Sequence, residues 1–384
     1  MSDPVLLDVS RLVWRLWRGG LPTGIDRVCL AYVEHFRDRA QAVVQWKGRF
    51  LVLTAEHSKI AFDLFLRGGR GFRGDFLQLA ARAFPAARRE PTQAGQLYIN
   101  VGHTGLNEPT LTQWVEGSGV RAIYLIHDLI PLLYPEYCRA GEQAKHQRRM
   151  ENALRSAHGL IGNSHATIED MSRFASAHGL PMPPSVAAWI AGPPVPTSVV
   201  PRRLDRPHFI TVGTIEARKN HSLLLQIWRR LVARDGETAP LLVIVGQRGW
   251  EADQATAMLD RAIDLKDHVL ELGTCGDEEL AALIAGARAL LMPSFAEGFG
   301  LPISEALELG TPVIASDLGV FREFAGTIPT YIDPLDGPGW EAAILSFTED
   351  GMERQRQLGQ IADYRAPDWS SHFEVVETWL RTLS

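Results

Sequence analysis

Two carboxylates, Glu297 and Glu305, bracket a glycine-rich turn in the run Pro293-Ser-Phe-Ala-Glu-Gly-Phe-Gly-Leu-Pro-Ile-Ser-Glu305. Pro302 suits the first turn of a helix, where a missing N–H removes nothing. Gly310 is a natural stop, and Thr311–Ala315 reads as the next buried strand. The amides near Phe299, Gly300 and Leu301 then point out of a helix start, a place that favours anions and phosphate above all. Ionised carboxylates accept hydrogen bonds strongly. A ligand with hydroxyls at both ends and a diphosphate in the middle satisfies the whole stretch, and a nucleotide sugar has that form.

A second constellation follows the run Phe209–Val212: Gly213, Thr214, then adjacent cations Arg218 and Lys219, then Asn220 as a helix cap. Cations at a helix start oppose the helix dipole unless an anion sits there, and a diphosphate reconciles them. In the first half, Gly19–Gly24 with Thr23 follows the first strand and lets backbone approach a ligand closely. It is not a G-x-G-x-x-G fingerprint, so dinucleotide binding is not indicated. His127-Asp128 directly follows a strand, where the histidine is placed to bond a hydroxyl or relay a proton. His103 holds the matching position after the preceding strand. Asn163-Ser164-His165 reads as a helix cap or a further polar contact. No Asp-x-Asp, H-x-x-x-H or C-x-x-C cluster occurs, so no metal is expected.

Positioning such groups requires strand ends. Short apolar runs alternate with helical patterns throughout, which predicts α/β architecture with parallel sheets and crossover helices. Strands are expected at Val5–Val9, Ala42–Trp46, Phe50–Leu53, Gln96–Val101, Arg121–Ile126, Gly159–Gly162 and Ser185–Ile190. In the second half they are expected at His208–Val212, Leu241–Val245, Val269–Leu272, Ala289–Met292, Pro312–Ala315 and Thr330–Ile332. Small and polar residues gather at their carboxyl ends, the ligand-binding edge of open parallel sheets. The proline-rich Gly192–Thr197 reads as a linker, giving domains 1–197 and 198–366 and a terminal segment 367–384 with an amphipathic helix over Trp369–Leu383.

A net charge of −6 gives no reason to expect a nucleic-acid partner. Three dispersed cysteines argue for a reducing compartment. With no signal peptide pattern and no run of about 20 apolar residues, a cytoplasmic protein is expected. Arg11, Arg15 and Arg18 interleave with Val13, Trp14, Leu16 and Trp17. Arg67, Arg70, Arg73, Arg82, Arg88 and Arg89 interleave with Phe65, Phe72, Phe76 and Phe84. Such segments suit either peripheral contact with an anionic inner membrane or a solvated arginine face over core aromatics.

The double-glutamate segment, Arg218-Lys219-Asn220 after a Val-Gly turn, His127-Asp-Leu-Ile-Pro131 and Thr23-Gly-Ile25 together resemble the retaining glycosyltransferases of family four, especially bacterial enzymes that build O-antigens, capsules and exopolysaccharides. The resemblance implies the GT-B fold, two Rossmann-like domains facing a central cleft. It implies that Glu297 holds the donor sugar's hydroxyls beside Gly298 and the amides of Phe299, Gly300 and Leu301, and that Glu305 binds the ribose. Arg218 and Lys219, beside Gly213, neutralise the diphosphate. The base lies against Gly273-Thr274-Cys275-Gly276, and Gly20, Thr23 and Gly24 close on the phosphates. His127 sits beneath the donor sugar, with His103 and Asp128 towards the acceptor, a glycan or lipid-linked glycan. The terminal helix crosses back to the N-terminal domain. One departure is Thr214, where many relatives carry a second arginine, which leaves more to Arg218. The implied activity is hexosyl transfer with retention from a nucleoside-diphosphate sugar. GDP-mannose is favoured over UDP- and dTDP-sugars, and no cofactor is required. A non-hydrolysing epimerase of the same architecture and a catalytically silent scaffold in polysaccharide assembly are the alternatives.

Overall fold

In the computed structural model, residues 5–19, 24–69, 71–87, 92–196 and 198–383 are described. The chain divides into two compact units. The first comprises Met1–Leu129, Gln143–Ala191 and Asp368–Ser384, and the second Ile130–Glu142 and Gly192–Pro367. The boundary thus falls at Ala191/Gly192 rather than 197/198. Residues 130–142 group with the second unit, which no composition change announces.

The first unit holds β1 (Val5–Asp8), β2 (Ala40–Trp46), β3 (Arg49–Val52), β4 (Leu97–Asn100), β5 (Arg121–Ile126), β6 (Ala157–Gly162) and β7 (Ser185–Ala187). They form one sheet in the order β3-β2-β1-β4-β5-β6-β7. β1, β4 and β5 are near-continuous buried runs, as a sheet covered by helices on both faces requires. One pairing departs from the all-parallel expectation: β3 runs antiparallel to β2. Lys47 and Gly48 both take positive φ (48° and 73°) and form a two-residue turn, too short for a crossover.

The second unit holds β8 (His208–Val212), β9 (Leu241–Val245), β10 (Val269–Leu272), β11 (Leu290–Met292), β12 (Val313–Ser316) and β13 (Thr330–Ile332), ordered β10-β9-β8-β11-β12-β13 and parallel throughout. Helix His221–Asp235 packs its Leu224, Leu225, Trp228 and Leu231 into the same core as Phe209, Ile244, Trp340 and Phe347. The two buried indoles keep partners: Trp228 Nε1 donates to the Pro240 carbonyl at 2.8 Å, and Trp340 Nε1 to that of Asp333 at 3.0 Å. In both sheets the order in which strands are added reverses beside the first strand, between β1 and β4 and between β8 and β11. Open α/β sheets bind ligands outside the carboxyl ends at that point.

The terminal helix Trp369–Thr382 belongs to the first unit. Its buried Phe373 and Val376 face that unit, and its His372 bonds the Tyr32 hydroxyl at 2.9 Å and the Trp189 carbonyl at 3.0 Å.

Most of the basic and aromatic side chains described in the two Arg-rich segments are engaged within this unit. Arg11 and Arg15 pair with buried Asp26 at 2.7 and 3.3 Å. Phe65, Phe72 and Phe76 are core residues, Arg67 pairs with Asp75, and Arg73 donates to the Trp17 carbonyl. Arg70, Arg88 and Arg89 lie outside the described residues. Trp14 is exposed and stacks on exposed Trp46 at 5.3 Å, and Arg18 and Arg82 are exposed as well.

Candidate functional site

β8 and β11 are neighbours, so the loops leaving their carboxyl ends meet at the point of reversal. The β8 loop turns at Gly213, whose φ is +140°. A Cβ there would lie 3.2 Å from Lys219 Cε and 3.3 Å from its Nζ, so glycine leaves room for the ammonium to fold back across the strand end. A single 3₁₀ turn, Ala217–Lys219, then presents Arg218 and Lys219. Asn220 takes φ +56° before helix His221–Asp235 and donates to the Pro334 carbonyl, but its side chain makes no cap bond.

The β11 loop carries Ser294 and Glu297. Its Phe295 amide donates to the Arg218 carbonyl at 2.8 Å and Arg218 Nη1 donates to the Ala296 carbonyl at 3.0 Å, which latches the two loops together. At its end Gly300 has φ +111° and abuts the Phe321 ring, a conformation and a clearance open only to glycine. Helix Leu301–Glu308 starts there with Pro302 in its first turn, as expected. Phe299 is buried and stacks on Phe324 at 4.7 Å.

Between the loops lies a compact charge cluster. Glu297 accepts from Lys219 Nζ at 2.5 Å and Ser294 Oγ at 2.7 Å on Oε1, and from Arg218 Nη1 at 2.7 Å on Oε2. Its side chain is 7% exposed. Burial alone would raise its pKa, but Arg218, Lys219 and Ser294 more than offset this and hold the carboxyl at about 2. Lys219 is pushed below its ordinary value by burial, opposed by Glu297. A fourth member, Glu216, is 3% exposed and binds Arg218 Nε through Oε1 at 2.6 Å, while its Oε2 has no partner. Burial raises its pKa, against the pull of Arg218 and Lys219. Glu216 and Ser294 were not singled out from sequence. A glutamate two residues before an arginine has no spacing signature of its own; only the 3₁₀ turn makes it a partner.

The structure therefore brings Glu297, Arg218 and Lys219 together, but in this state they satisfy one another. The sequence expectation had the cations waiting for phosphate and the carboxylate waiting for hydroxyls. A buried cation pair without an anion would be too costly, so Glu297 supplies the negative charge. Glu305 lies on helix Leu301–Glu308, half-buried and beside Gly192. Thr214 and Gly298 are half-buried in the loops after β8 and β11, and half-buried Leu301 opens the helix. Thr274 and Cys275 follow β10, two strands from β8; Thr274 is exposed, and burial together with Glu279 pushes the Cys275 thiol up to about 11.

In the first unit, His127 and His103 stand after β5 and β4, with ring centroids 5.0 Å apart. Both are buried. His127 Nε2 is 2.8 Å from the Val101 carbonyl and His103 Nε2 is 2.8 Å from that of Leu125, so each Nε2 carries the proton and donates. Burial lowers both pKa values, that of His127 to about 4. His127 is thus neutral, a form that can accept a hydrogen bond or take up a proton at Nδ1. His103 adopts φ +59°. The Asp128 carbonyl accepts from His146 Nε2, and Asn163 donates to the His127 carbonyl at 2.7 Å. Ser164 caps helix His165–Ala177, the structural one of its two sequence readings. Gly24 opens helix Gly24–Phe36, whereas Gly20 and Thr23 lie outside the described residues. Among the described residues no cluster of acidic, histidine or cysteine side chains could hold a metal, and no helix is long and apolar enough to cross a membrane.

Two α/β sheets whose strand order reverses beside the first strand have the GT-B fold, and a basic pair and a buried carboxylate stand at the second reversal. Residues 198–363, which lie within the second unit, match the family model described as glycosyl transferases group 1. The chain is similar to bacterial O-antigen mannosyltransferases. It is 31% identical to the serotype-specific mannosyltransferase WbdA of Escherichia coli over 55% of this chain and 28% of that protein. To the O-antigen chain mannosyltransferase B of E. coli it is 30% identical over 61% of this chain and 63% of that one. The matched segment therefore spans roughly a quarter to under two thirds of these curated relatives. Among solved structures, HepE of Anabaena in complex with UDP superposes with a TM-score of 0.66 at 16% identity, covering 99% of this chain and 100% of that one. The sucrose-phosphate synthase of Thermosynechococcus elongatus does so at 0.65 and 15%, covering 100% and 99%.

Proposed function

We propose that the protein transfers a hexose, mannose first among candidates, from a nucleoside-diphosphate sugar to a growing bacterial glycan or lipid-linked oligosaccharide. The observation that carries this reading is the Arg218–Glu297–Lys219 cluster at the reversal point of a group 1 domain. Its two cations match a diphosphate in charge once Glu297 releases them, and Glu297 is then free to accept from donor hydroxyls. The similarity to named O-antigen mannosyltransferases supports mannose as the sugar; GDP-mannose is proposed as the donor ahead of UDP- and dTDP-sugars.

Retention of anomeric configuration belongs to the same proposal. Glu297 is tied to two cations and assigned to hydroxyls, and Glu216 is tied to Arg218 behind it, so neither carboxylate is assigned as nucleophile. The acceptor oxygen then attacks from the leaving-group face. The anomeric C–O bond to phosphate breaks, the new glycosidic bond forms, and the departing phosphate takes the acceptor's proton. Arg218 and Lys219 stabilise the developing negative charge, which is catalysis by positioning and electrostatics without a metal. Neutral His127 would receive a sugar hydroxyl proton at Nδ1, with His103 and Asp128 towards the acceptor. Peripheral attachment to an anionic membrane is proposed for the exposed Trp14–Trp46 pair, with Lys47 over the Trp46 ring.

The test is incubation with GDP-mannose, UDP- and dTDP-hexoses and an O-antigen acceptor, with product anomer read by NMR. An α-linked product from an α-donor in the presence of EDTA is the expected result. Release of an epimerised donor without acceptor would instead identify the epimerase reading, and nucleotide binding without any turnover the scaffold reading.

A further inference from the structure

Glu216 is a buried carboxylate with an unusual environment. Its Oε1 receives only Arg218 Nε, and its Oε2 receives nothing. Taking a carboxylate out of water is expensive, and a buried ion pair is often no better for stability than a neutral pair of the same shape. Stability therefore gives no account of why a carboxylate stands here. Geometry does. Among its contacts, Arg218 has Nε held by Glu216 at 2.6 Å, and Nη1 by the Ala296 carbonyl at 3.0 Å and Glu297 at 2.7 Å. The Glu297 contact is the one that donor binding would replace. The Glu216 contact lies on the other side of the guanidinium and is not in competition with the donor.

We infer that Glu216 is a positioning residue, fixing the Arg218 guanidinium through Nε so that Nη1 passes from Glu297 to the donor diphosphate by a small pivot. The inference rests on the donor-site reading above. Without Glu216, Arg218 keeps its charge but loses its aim. The side chain must then be ordered when the ligand arrives, and that entropy is subtracted from binding. The same carboxylate settles the charge count. In the ligand-free site Arg218 and Lys219 face Glu216 and Glu297; when the diphosphate displaces Glu297, Glu216 still neutralises the inner face of Arg218, which keeps the guanidinium from being drawn out of the loop.

The experiment is calorimetric titration of GDP, and in parallel UDP, into the full chain and into E216Q, E216D, R218A, R218K and E216Q/R218A, with melting temperatures for each. The nucleotide that binds wild type more tightly is the probe. E216Q is expected to weaken binding about tenfold, the size of one charge-assisted hydrogen bond, while melting within a few degrees of wild type. E216D recovers part of the loss. The double variant binds no worse than R218A, because Glu216 acts only through Arg218. Should E216Q fail to fold, R218K carries the test: it keeps the charge, lacks Nε, and is expected to lose the same tenfold. Wild-type affinity in E216Q or R218K, or losses that simply add in the double variant, would overturn the inference while leaving the donor site standing. Unchanged binding in R218A, or no binding of either nucleotide to wild type, would instead bring down the donor-site reading and this inference with it.

Discussion

At the scale of single residues, the site is a set of charges that cancel in the absence of ligand. Glu297 pairs with both cations, and its carboxyl, held at about 2, is ionised at any working pH. Glu297→Ala should lower kcat about 10²–10³-fold, measured as transfer from GDP-mannose; normal transfer by that variant would defeat its assignment. Lys219→Ala should weaken nucleotide binding about tenfold or more, the worth of a hydrogen bond to a charged group, and isothermal titration reads it directly. The residue identities of this cluster were legible because Glu297, Arg218 and Lys219 sit in glycine-punctuated turns. Their mutual pairing was not, since nothing in a one-dimensional spacing says that two turns separated by three crossovers will latch through Phe295 and Ala296. The histidines teach the converse. His127 and His103 were found by position after strands, yet the positions do not reveal that each Nε2 serves a neighbouring strand's carbonyl.

At the scale of elements, strands were more legible than their partners. Each of the thirteen strands among the described residues overlaps an apolar segment picked out by its pattern, because buried parallel strands are written as short continuous runs bounded by turn residues. β3 was found as a strand but not as an antiparallel one; its direction is decided by two residues, Lys47 and Gly48, whose positive φ closes the chain on itself. The turn at Gly300 shows how one residue positions an element. Its φ of +111° and the Phe321 ring behind it exclude a side chain, and the helix start that follows depends on both. Gly300→Ala is expected to destabilise the second unit by about 1–3 kcal/mol, visible as an earlier urea midpoint, and to raise the donor KM because the Glu297 loop loses its anchor.

At the scale of the whole molecule, buried histidines make stability depend on pH. His221 and His372 are each held near 4 by burial, below the ordinary 6.5. Between those values the unfolded chain binds more protons than the folded one, so stability rises with pH. The contribution is complete above about 6.5 and disappears as pH falls to about 4. At pH 5 each histidine should have lost about 2 kcal/mol relative to pH 7. Denaturant midpoints across that window test it, and His372→Gln should flatten the curve by its share.

Residues 130–142 have a larger implication for how the chain is held together. They leave the first unit after Leu129, stack Tyr137 on Phe295 at 5.2 Å and accept from Trp250 at the Tyr137 carbonyl, and return at Gln143. A protease that severs Gly192–Pro196 would therefore not release the second unit as a separate fragment. The amino-terminal piece would still grip it through its own Tyr137, and a recombinant 192–367 made alone would bare Phe295 and Trp250 to water and be prone to clump.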